Sequence, residues 1–174
     1  MPAPAPAGKL PAMTWDEVCA DPCLQDLPYK IELNQQGQIV MSPAKNRHGK
    51  FQIQIGYLLR QMLPDGVTVS ECAIRTAENV KVPDVAWTSF ARYDAATEPD
   101  EVYTDTAPEI CVEIVSPSNT TEDQMHKGSL YLQAGAEEFW LCNELGDVRF
   151  FDANGFLERS RLCPNFPAKI EFRR

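Results

Sequence analysis

One stretch near the middle of the chain restricts its possible folds more than any other. Residues 110–115 read Ile-Cys-Val-Glu-Ile-Val, so they are apolar except for Glu113. A continuous apolar run of this length is typical of a central strand that is buried on both faces. A buried carboxylate without a partner costs several kcal/mol or takes up a proton. Glu113 therefore requires a cation, a hydrogen-bond network or a wet cleft, and a structural ion pair with Arg or Lys is the alternative to a functional role.

Helix signals lie on both sides of this strand. Residues 14–17 have the pattern of a capping box, which predicts a short helix at the start of the domain. Apolar residues that recur every three or four positions predict a helix over 45–62. Asn119 and Glu122 predict the N-terminal cap of another helix, over about 120–134. These helices have enough apolar surface to cover a sheet.

The rest of the chain predicts strands joined by turns. Alternating or continuous apolar residues predict a β-hairpin at 29–41 and strands at 67–74, 80–87, 139–142, 148–151 and 168–172. The polar residues 90–107 predict a surface loop. Together with the helices, these elements predict an α+β fold (α/β/α-like) with a mixed central β-sheet flanked by helices.

The length and the N-terminal composition predict the domain organisation. The 174 residues suffice for a single hydrophobic core, and we expect one domain over residues 13–174. Residues 1–12 contain four prolines and four alanines, which favours neither a helix nor a paired strand. We therefore expect a disordered Pro/Ala-rich tail at residues 1–12.

Charge and cysteine content exclude several classes of protein. Acidic residues outnumber basic ones by 25 to 16, and a formal charge of −9 excludes broad binding to a nucleic-acid backbone or an anionic membrane. No apolar run approaches the roughly 18–20 residues of a membrane-spanning helix, and the N-terminus lacks the pattern of a signal peptide. The six cysteines are too sparse for a disulfide framework. We expect a cytoplasmic protein with no membrane partner, in which contacts to a polyanion are local.

A second carboxylate and a lysine extend the candidate site. In the predicted strand 80–87, Asp84 ends an otherwise apolar row; alone, it indicates no more than a break at a strand edge. Combined with Glu113 on a neighbouring strand, it provides the hard oxygen ligands that Mg²⁺ or Mn²⁺ prefers. Lys127 lies four residues after Asp123 on the following helix, where it can reach the acids or form a surface ion pair with Asp123.

The order of these elements resembles a known family. The chain contains Pro83-Asp84, then residues 108–118 with Glu113, then Asp123 with Lys127, Tyr131 and Gly135, and then Glu138-Phe139-Trp140-Leu141. This pattern resembles the Uma family of restriction-endonuclease-like proteins, which belongs to the PD-(D/E)XK nuclease superfamily. The stretch from Tyr29 to His48 resembles the opening of the same family, so the resemblance covers about residues 27–152.

The resemblance implies a restriction-endonuclease-like fold and roles for individual residues. It implies that Asp84 and Glu113 bind a divalent metal, together with the backbone carbonyl of Ile114 or Val115. The superfamily lysine is expected two residues after Glu113, where this chain has Val115. The family resembled shares this departure and has a lysine on the following helix, which corresponds to Lys127. Whether the chain cleaves a substrate is thus left open by the resemblance.

Three further positions have alternative interpretations. In the resembled family the position of Glu32 lies near the active cleft, which makes it a possible extra metal ligand, whereas its place on the predicted strand also suits a solvated side chain. His48, Lys45 and Lys50 cluster at the start of the helix 45–62, where a helix N-terminus attracts phosphate. They are candidate substrate contacts, and capping or surface roles are the alternative.

The functional hypothesis is a Mg²⁺- or Mn²⁺-dependent endonuclease that hydrolyses DNA phosphodiester bonds. Because cleavage of a duplex usually takes two active sites, we expect a homodimer, with Phe150, Phe151, Phe156 and Phe166 as candidate interface residues. Two other functions stay open: an inactive binding or regulatory module with a nuclease fold, which Val115 allows, and a metal-dependent hydrolase of RNA or another phosphoester, which the acidic surface allows.

Overall fold

A computed structural model of the protein describes residues 12–43, 45–96, 103–116 and 120–172. Apart from Ala12, the predicted tail at residues 1–12 lies outside the described residues. Within the described ranges, no helix combines the length and apolar character needed to cross a membrane.

A six-stranded mixed sheet forms the centre of the domain. Its strands are β3 (Gly66–Ser70), β6 (Val85–Ser89), β7 (Ile110–Ile114), β8 (Glu138–Cys142), β9 (Val148–Asp152) and β10 (Gly155–Leu157), in the spatial order β10-β9-β8-β7-β6-β3. The strand predicted from the apolar run, β7, lies inside the sheet and pairs in parallel with β8 and antiparallel with β6. All five residues of β7 are buried, as expected for a strand covered on both faces.

Two hairpins lie outside this sheet. Strands β1 (Tyr29–Leu33) and β2 (Ile39–Pro43) form one, as the alternating pattern predicts, and β4 (Ile74–Thr76) and β5 (Asn79–Lys81) form the other. The Nζ atom of Lys81 donates a hydrogen bond to the carbonyl of Leu33 at 3.0 Å. This bond fastens the first hairpin to the second.

Four α-helices are present among the described residues. They are α1 (Trp15–Ala20), α2 (Asn46–Met62), α3 (Phe90–Ala96) and α4 (Thr121–Gln133). The predicted capping box of α1 is confirmed: Thr14 and Glu17 bond reciprocally. After α4, Gly135 has a φ of 107°, the left-handed conformation that commonly ends a helix.

The two longest helices cover opposite faces of the sheet. Phe51, Ile55 and Leu59 of α2 recur at four-residue intervals and pack in one core cluster with Val112 and other residues of the central strands. A second cluster lies on the other face, where Tyr131 of α4 packs with apolar residues of β7 and β8. Because strand side chains alternate between faces, Glu113 points to the α4 side, two residues after Cys111. The predicted α+β fold with a mixed, helix-flanked sheet is therefore confirmed.

Several predicted boundaries are wrong. The strand predicted at 67–74 ends at Ser70, and the strand predicted at 80–87 is divided into β5 and β6, separated by Val82-Pro83-Asp84. Proline has no backbone N–H and cannot continue a ladder in the middle of a sheet, which accounts for the break. The predicted loop 90–107 contains α3.

The C-terminal part also differs from the prediction. Residues 168–172 form no strand and contribute only a bridge between Lys169 and Asp147, whereas β10 was not predicted. The cap of α4 is Thr120 with Asp123, because the hydroxyl of Thr120 accepts a hydrogen bond from the Asp123 N–H and the Asp123 carboxylate bonds back. The predicted cap residue Asn119 lies outside the described residues.

Two of the four candidate interface phenylalanines are in the core. Phe150 and Phe166 are buried and pack against Trp140, whereas the side chain of Phe156 is 64% exposed. Because Phe150 and Phe166 are used in the core, only Phe156 and the half-buried Phe151 of these four residues can contribute to an interface.

We expect two glycine-to-alanine substitutions to have opposite effects on stability. A Cβ atom at Gly128 would lie 2.3 Å from a ring carbon of the buried Phe139, whereas a Cβ at Gly49 of α2 would have no atom within 4 Å. Gly128→Ala should therefore destabilise the protein by about 1–3 kcal/mol through overpacking. Gly49→Ala should stabilise it by up to about 1 kcal/mol through lower chain entropy in the unfolded state. Urea denaturation checks both, and higher stability of both variants would contradict the close packing of α4.

Candidate active site

Adjacent strands bring the two predicted acids together. Asp84 immediately precedes β6 and Glu113 lies in β7, and both residues are only 1% exposed. The backbone N–H of Asp84 donates to the carbonyl of Val112 at 3.0 Å, and the N–H of Ile114 donates to Asp84 Oδ2 at 2.7 Å. These two hydrogen bonds, at the end of the β6–β7 pairing, thus hold the carboxylate of Asp84 beside the strand that carries Glu113.

Both carboxylates contact one ammonium group. The Nζ atom of Lys30, on β1, lies 2.5 Å from Asp84 Oδ1 and 3.5 Å from Glu113 Oε2. Two oxygens from adjacent strands therefore face the same point in space and share a cation. The sequence alone did not predict this contact of Lys30.

The other carboxylate oxygens are held by different groups. Asp84 Oδ2 lies 2.9 Å from His48 Nε2, in addition to its bond from the Ile114 backbone. Glu113 Oε1 accepts a hydrogen bond from the Tyr131 hydroxyl at 2.6 Å and contacts Lys127 Nζ at 2.8 Å. Each carboxylate is thus anchored through one oxygen, and its second oxygen faces Lys30.

Helix α4 brings the predicted lysine into the site. Lys127 Nζ lies 2.8 Å from both Glu113 Oε1 and Glu32 Oε1, so it joins the helix to β7 and to β1. Glu32 Oε1 also accepts a hydrogen bond from the Val82 N–H at 2.8 Å. Lys127 therefore pairs with these two carboxylates and not with Asp123 on the surface. The side chain of Glu32 lies beside Lys127 and is only 12% exposed.

Burial and ion pairing set the charge states. Burial raises the pKa of Asp84, but Lys30 and His48 outweigh it and hold that pKa well below its ordinary value. Burial likewise opposes the charged form of Lys30, yet the carboxylates of Glu113 and Asp84 raise the pKa of this lysine above its ordinary value. For Glu113, burial raises the pKa although Lys127 and Lys30 counteract it. The site is therefore a network of charges that depend on one another.

A cleft of about 270 Å³ opens onto these groups. The cleft is lined by the charged residues described above and by residues at the starts of α2 and α4, among them Lys30, Glu32, Asp84, Glu113, Ile114, Gln124, Lys127, Lys45 and His48. Gln124 Oε1 is buried and has no hydrogen-bond partner among the described residues, which leaves a polar group for a bound ligand. Lys45 and Lys50 are both exposed at the start of α2, but only Lys45 of the two lines the cleft.

Sequence reasoning missed the contacts of three site residues. Lys30 lies two positions before Glu32 on a strand, so period-two alternation places both on one face. Tyr131 follows Lys127 by four residues and Gln52 follows His48 by four, the spacing of neighbours on a helix face. The Gln52 side-chain amide donates to the backbone carbonyl of Asp84 at 2.8 Å. For all three residues the sequence spacing indicates which face of the strand or helix they share, but it does not identify the residues that they contact.

The donor set fits a hard divalent cation at the position shared by the two acids. Within the described part of the chain, no three His, Cys, Asp or Glu residues are grouped as a metal site. Asp84 Oδ1 and Glu113 Oε2 nevertheless converge on one positive charge, and carboxylate oxygens are the ligands that Mg²⁺ and Mn²⁺ prefer. The two acids fit such an ion if Lys30 moves.

Comparisons with known proteins identify a family and a similar fold. The sequence profile of the Uma2 family, described as "putative restriction endonuclease", matches residues 17–161. A crystal structure of a "putative nuclease belonging to DUF820" from Anabaena variabilis ATCC 29413 is similar, with a TM-score of 0.62 and 18% sequence identity over 80% of this chain and 79% of that chain. At this identity, the likeness shows the fold. A comparison with curated proteins finds no match.

We expect Asp84 to make the stability of the protein sensitive to acid. Since its pKa in the folded protein lies below the ordinary 3.8, its ionised form contributes stability that is complete above about pH 4 and is lost as the pH falls towards the folded-state pKa. Asp84→Asn should flatten the dependence of the unfolding free energy on pH below about pH 4, as measured by urea denaturation with a chelator present. The exposed Asp94→Asn on α3 is the control, and equal slopes for both variants would contradict the prediction.

Proposed function

The chain belongs to the Uma2 family of restriction-endonuclease-like proteins, and we propose that it is a divalent-metal-dependent endonuclease that hydrolyses phosphodiester bonds of DNA. The observation that carries the proposal is the convergence of Asp84 and Glu113 on one cation, with Lys127 bound to the same glutamate. A nuclease needs this combination, because it must activate water beside a phosphate that two bare carboxylates would repel.

The metal-binding groups we assign are the carboxylates of Asp84 and Glu113 and the backbone carbonyl of Ile114, with Glu32 as a further ligand. Bound Mg²⁺ or Mn²⁺ would supply a more acidic water and neutralise charge on the phosphate. The chain's own part is to hold these oxygens in place. His48, the Ile114 N–H and the Tyr131 hydroxyl anchor the carboxylates through their other oxygens.

Lys127 is the residue that we assign to orienting the attacking water. Val115 occupies the usual lysine position, but the ammonium of Lys127 reaches Glu113 from α4 at 2.8 Å. A positively charged donor at this place can hold water for attack and stabilise the negative charge that develops on the phosphate. Its pKa is raised by Glu113 despite burial, so it stays protonated at neutral pH and donates hydrogen bonds.

The start of α2 is the substrate-binding surface in this proposal. Lys45, which lines the cleft, and Lys50 carry positive charge at a helix N-terminus, whose backbone N–H groups attract phosphate. Lys45 at the N-cap makes no side-chain capping bond, so its side chain does not cover these N–H groups. His48 contacts Asp84 and therefore links this surface to the acids.

The proposal includes a homodimer in the cytoplasm. Two copies would bring two active sites to the two strands of a duplex. The exposed Phe156 on the edge strand β10, together with Phe151, offers an apolar surface for such contact.

Specific observations favour two competing functions. Val115 and the lysine-paired acids suit a nuclease fold that binds without turnover. The net charge of −9 suits a smaller phosphoester or a single strand of RNA better than a long duplex. The experiment below distinguishes these functions from the proposed one.

We expect Lys127→Met to lower the rate of DNA cleavage by about 10²- to 10³-fold, the usual loss when one donor that stabilises transition-state charge is removed. The measurement is cleavage of labelled duplex DNA, single-stranded DNA and RNA with Mg²⁺ or Mn²⁺. Lys169→Met is the matched control, because Lys169 pairs with Asp147 on the surface, and it should retain wild-type activity.

The substrates distinguish the alternatives. If the protein cleaves RNA and not DNA, its substrate is RNA. Absence of cleavage with every metal and substrate would favour the binding module, and wild-type activity of Lys127→Met would remove Lys127 from the mechanism.

A further inference from the structure

We propose that Lys30 is a built-in cation that occupies the metal position between Asp84 and Glu113, so that a divalent ion must displace it and binds more weakly because of it. The inference rests on the proposed metal site and adds a determinant of metal affinity to it. The proposal requires a defined exchange: one ammonium leaves the two carboxylates and one hydrated cation takes its place.

The oxygens that face Lys30 are those that remain available for a metal. His48 and the Ile114 N–H hold Asp84 Oδ2, while Asp84 Oδ1 lies 2.5 Å from Lys30 Nζ. Glu113 Oε1 is held by Tyr131 and Lys127, while Oε2 faces Lys30. A cation that binds both acids without breaking their anchors must therefore use the same two oxygens as Lys30.

Charge balance gives the second argument. The site has three carboxylates, those of Glu32, Asp84 and Glu113, against the ammonium groups of Lys30 and Lys127. If a divalent ion entered while Lys30 stayed, two cations would compete at contact distance for the same two oxygens. Repulsion at this distance in a buried site is strong, so the ion and the ammonium exclude each other.

The position of Lys30 allows such an exchange. It lies on β1, in the hairpin outside the central sheet, and its side chain retains 15% exposure, whereas Asp84 and Glu113 side chains retain 2%. The neighbouring bonds from Lys81 to the Leu33 carbonyl and from Val82 to Glu32 fasten the hairpin independently. The flexible four-carbon stem of Lys30 can therefore swing towards the open side of the cleft while the hairpin stays.

Calorimetric Mn²⁺ titration of the full chain at neutral pH tests the proposal. We expect Lys30→Met to bind Mn²⁺ at least about tenfold more tightly than wild type, which corresponds to about 1.4 kcal/mol. Lys169→Met is the matched control: it removes the same charge from an exposed lysine that pairs with Asp147 on the surface and does not line the cleft. Its affinity should stay within about threefold of wild type, because an exposed charge is largely screened.

A second measurement uses the wild-type protein and does not depend on the folding of a variant. Brief acetylation followed by peptide mass spectrometry reports how accessible each lysine is. Saturating Mn²⁺ should raise the labelling of Lys30 severalfold, because its ammonium leaves the buried ion pair, while labelling of the surface Lys169 stays unchanged. Unchanged labelling of Lys30 at saturating Mn²⁺ would overturn the inference.

The outcomes separate this inference from the proposed function. Equal Mn²⁺ affinity of wild type and Lys30→Met, with binding lost in Asp84→Asn, would overturn the role of Lys30 and leave the metal site intact. Unchanged affinity of Asp84→Asn would overturn the metal site itself, and the inference with it. Tighter binding by Lys30→Met together with loss in Asp84→Asn supports both.

Discussion

One ammonium shared between two buried carboxylates is the interaction on which the rest of this structure depends. Ionised side chains are costly to bury, and removing one partner of a buried pair is far more damaging than losing a surface ion pair. The structure meets this cost by giving every carboxylate several donors from distant parts of the chain. These ion pairs connect four elements that lie far apart in the sequence: the first hairpin, β6, β7 and α4. The residues that form them are Lys30, Asp84, Glu113 and Lys127.

Much of the fold could be predicted because its signals are local. The apolar run around Glu113, the four-residue spacing of Phe51, Ile55 and Leu59, and the capping box of α1 each depend on neighbours within a few positions. The division of the strand at 80–87 was harder, because Val80 and Val82 continue the apolar pattern past the point where Pro83 interrupts the ladder. Helix α3 was missed since most of its described side chains are exposed and give no apolar stripe.

The candidate site was predicted only in part, because its contacts join residues that lie far apart in the sequence. Asp84, Glu113 and Lys127 were predicted from unusual residues in otherwise regular elements, helped by a family resemblance, and the structure brings them together. Lys30 was not predicted, because its contact with Asp84 spans 54 residues and depends on how the hairpin docks on the sheet. Periodicity tells which face of an element a side chain occupies; it does not tell which other element lies opposite that face.

The close approach of α4 to β8 has a consequence for the chemistry as well as for packing. Gly128 presents only a hydrogen atom to the ring of Phe139, and the next residue back along the helix is Lys127. The height of the helix above the sheet therefore sets how far the lysine must extend to meet Glu113. Gly128 thus keeps α4 close to the sheet, so that a residue without a side chain sets how far the five-atom side chain of Lys127 must reach.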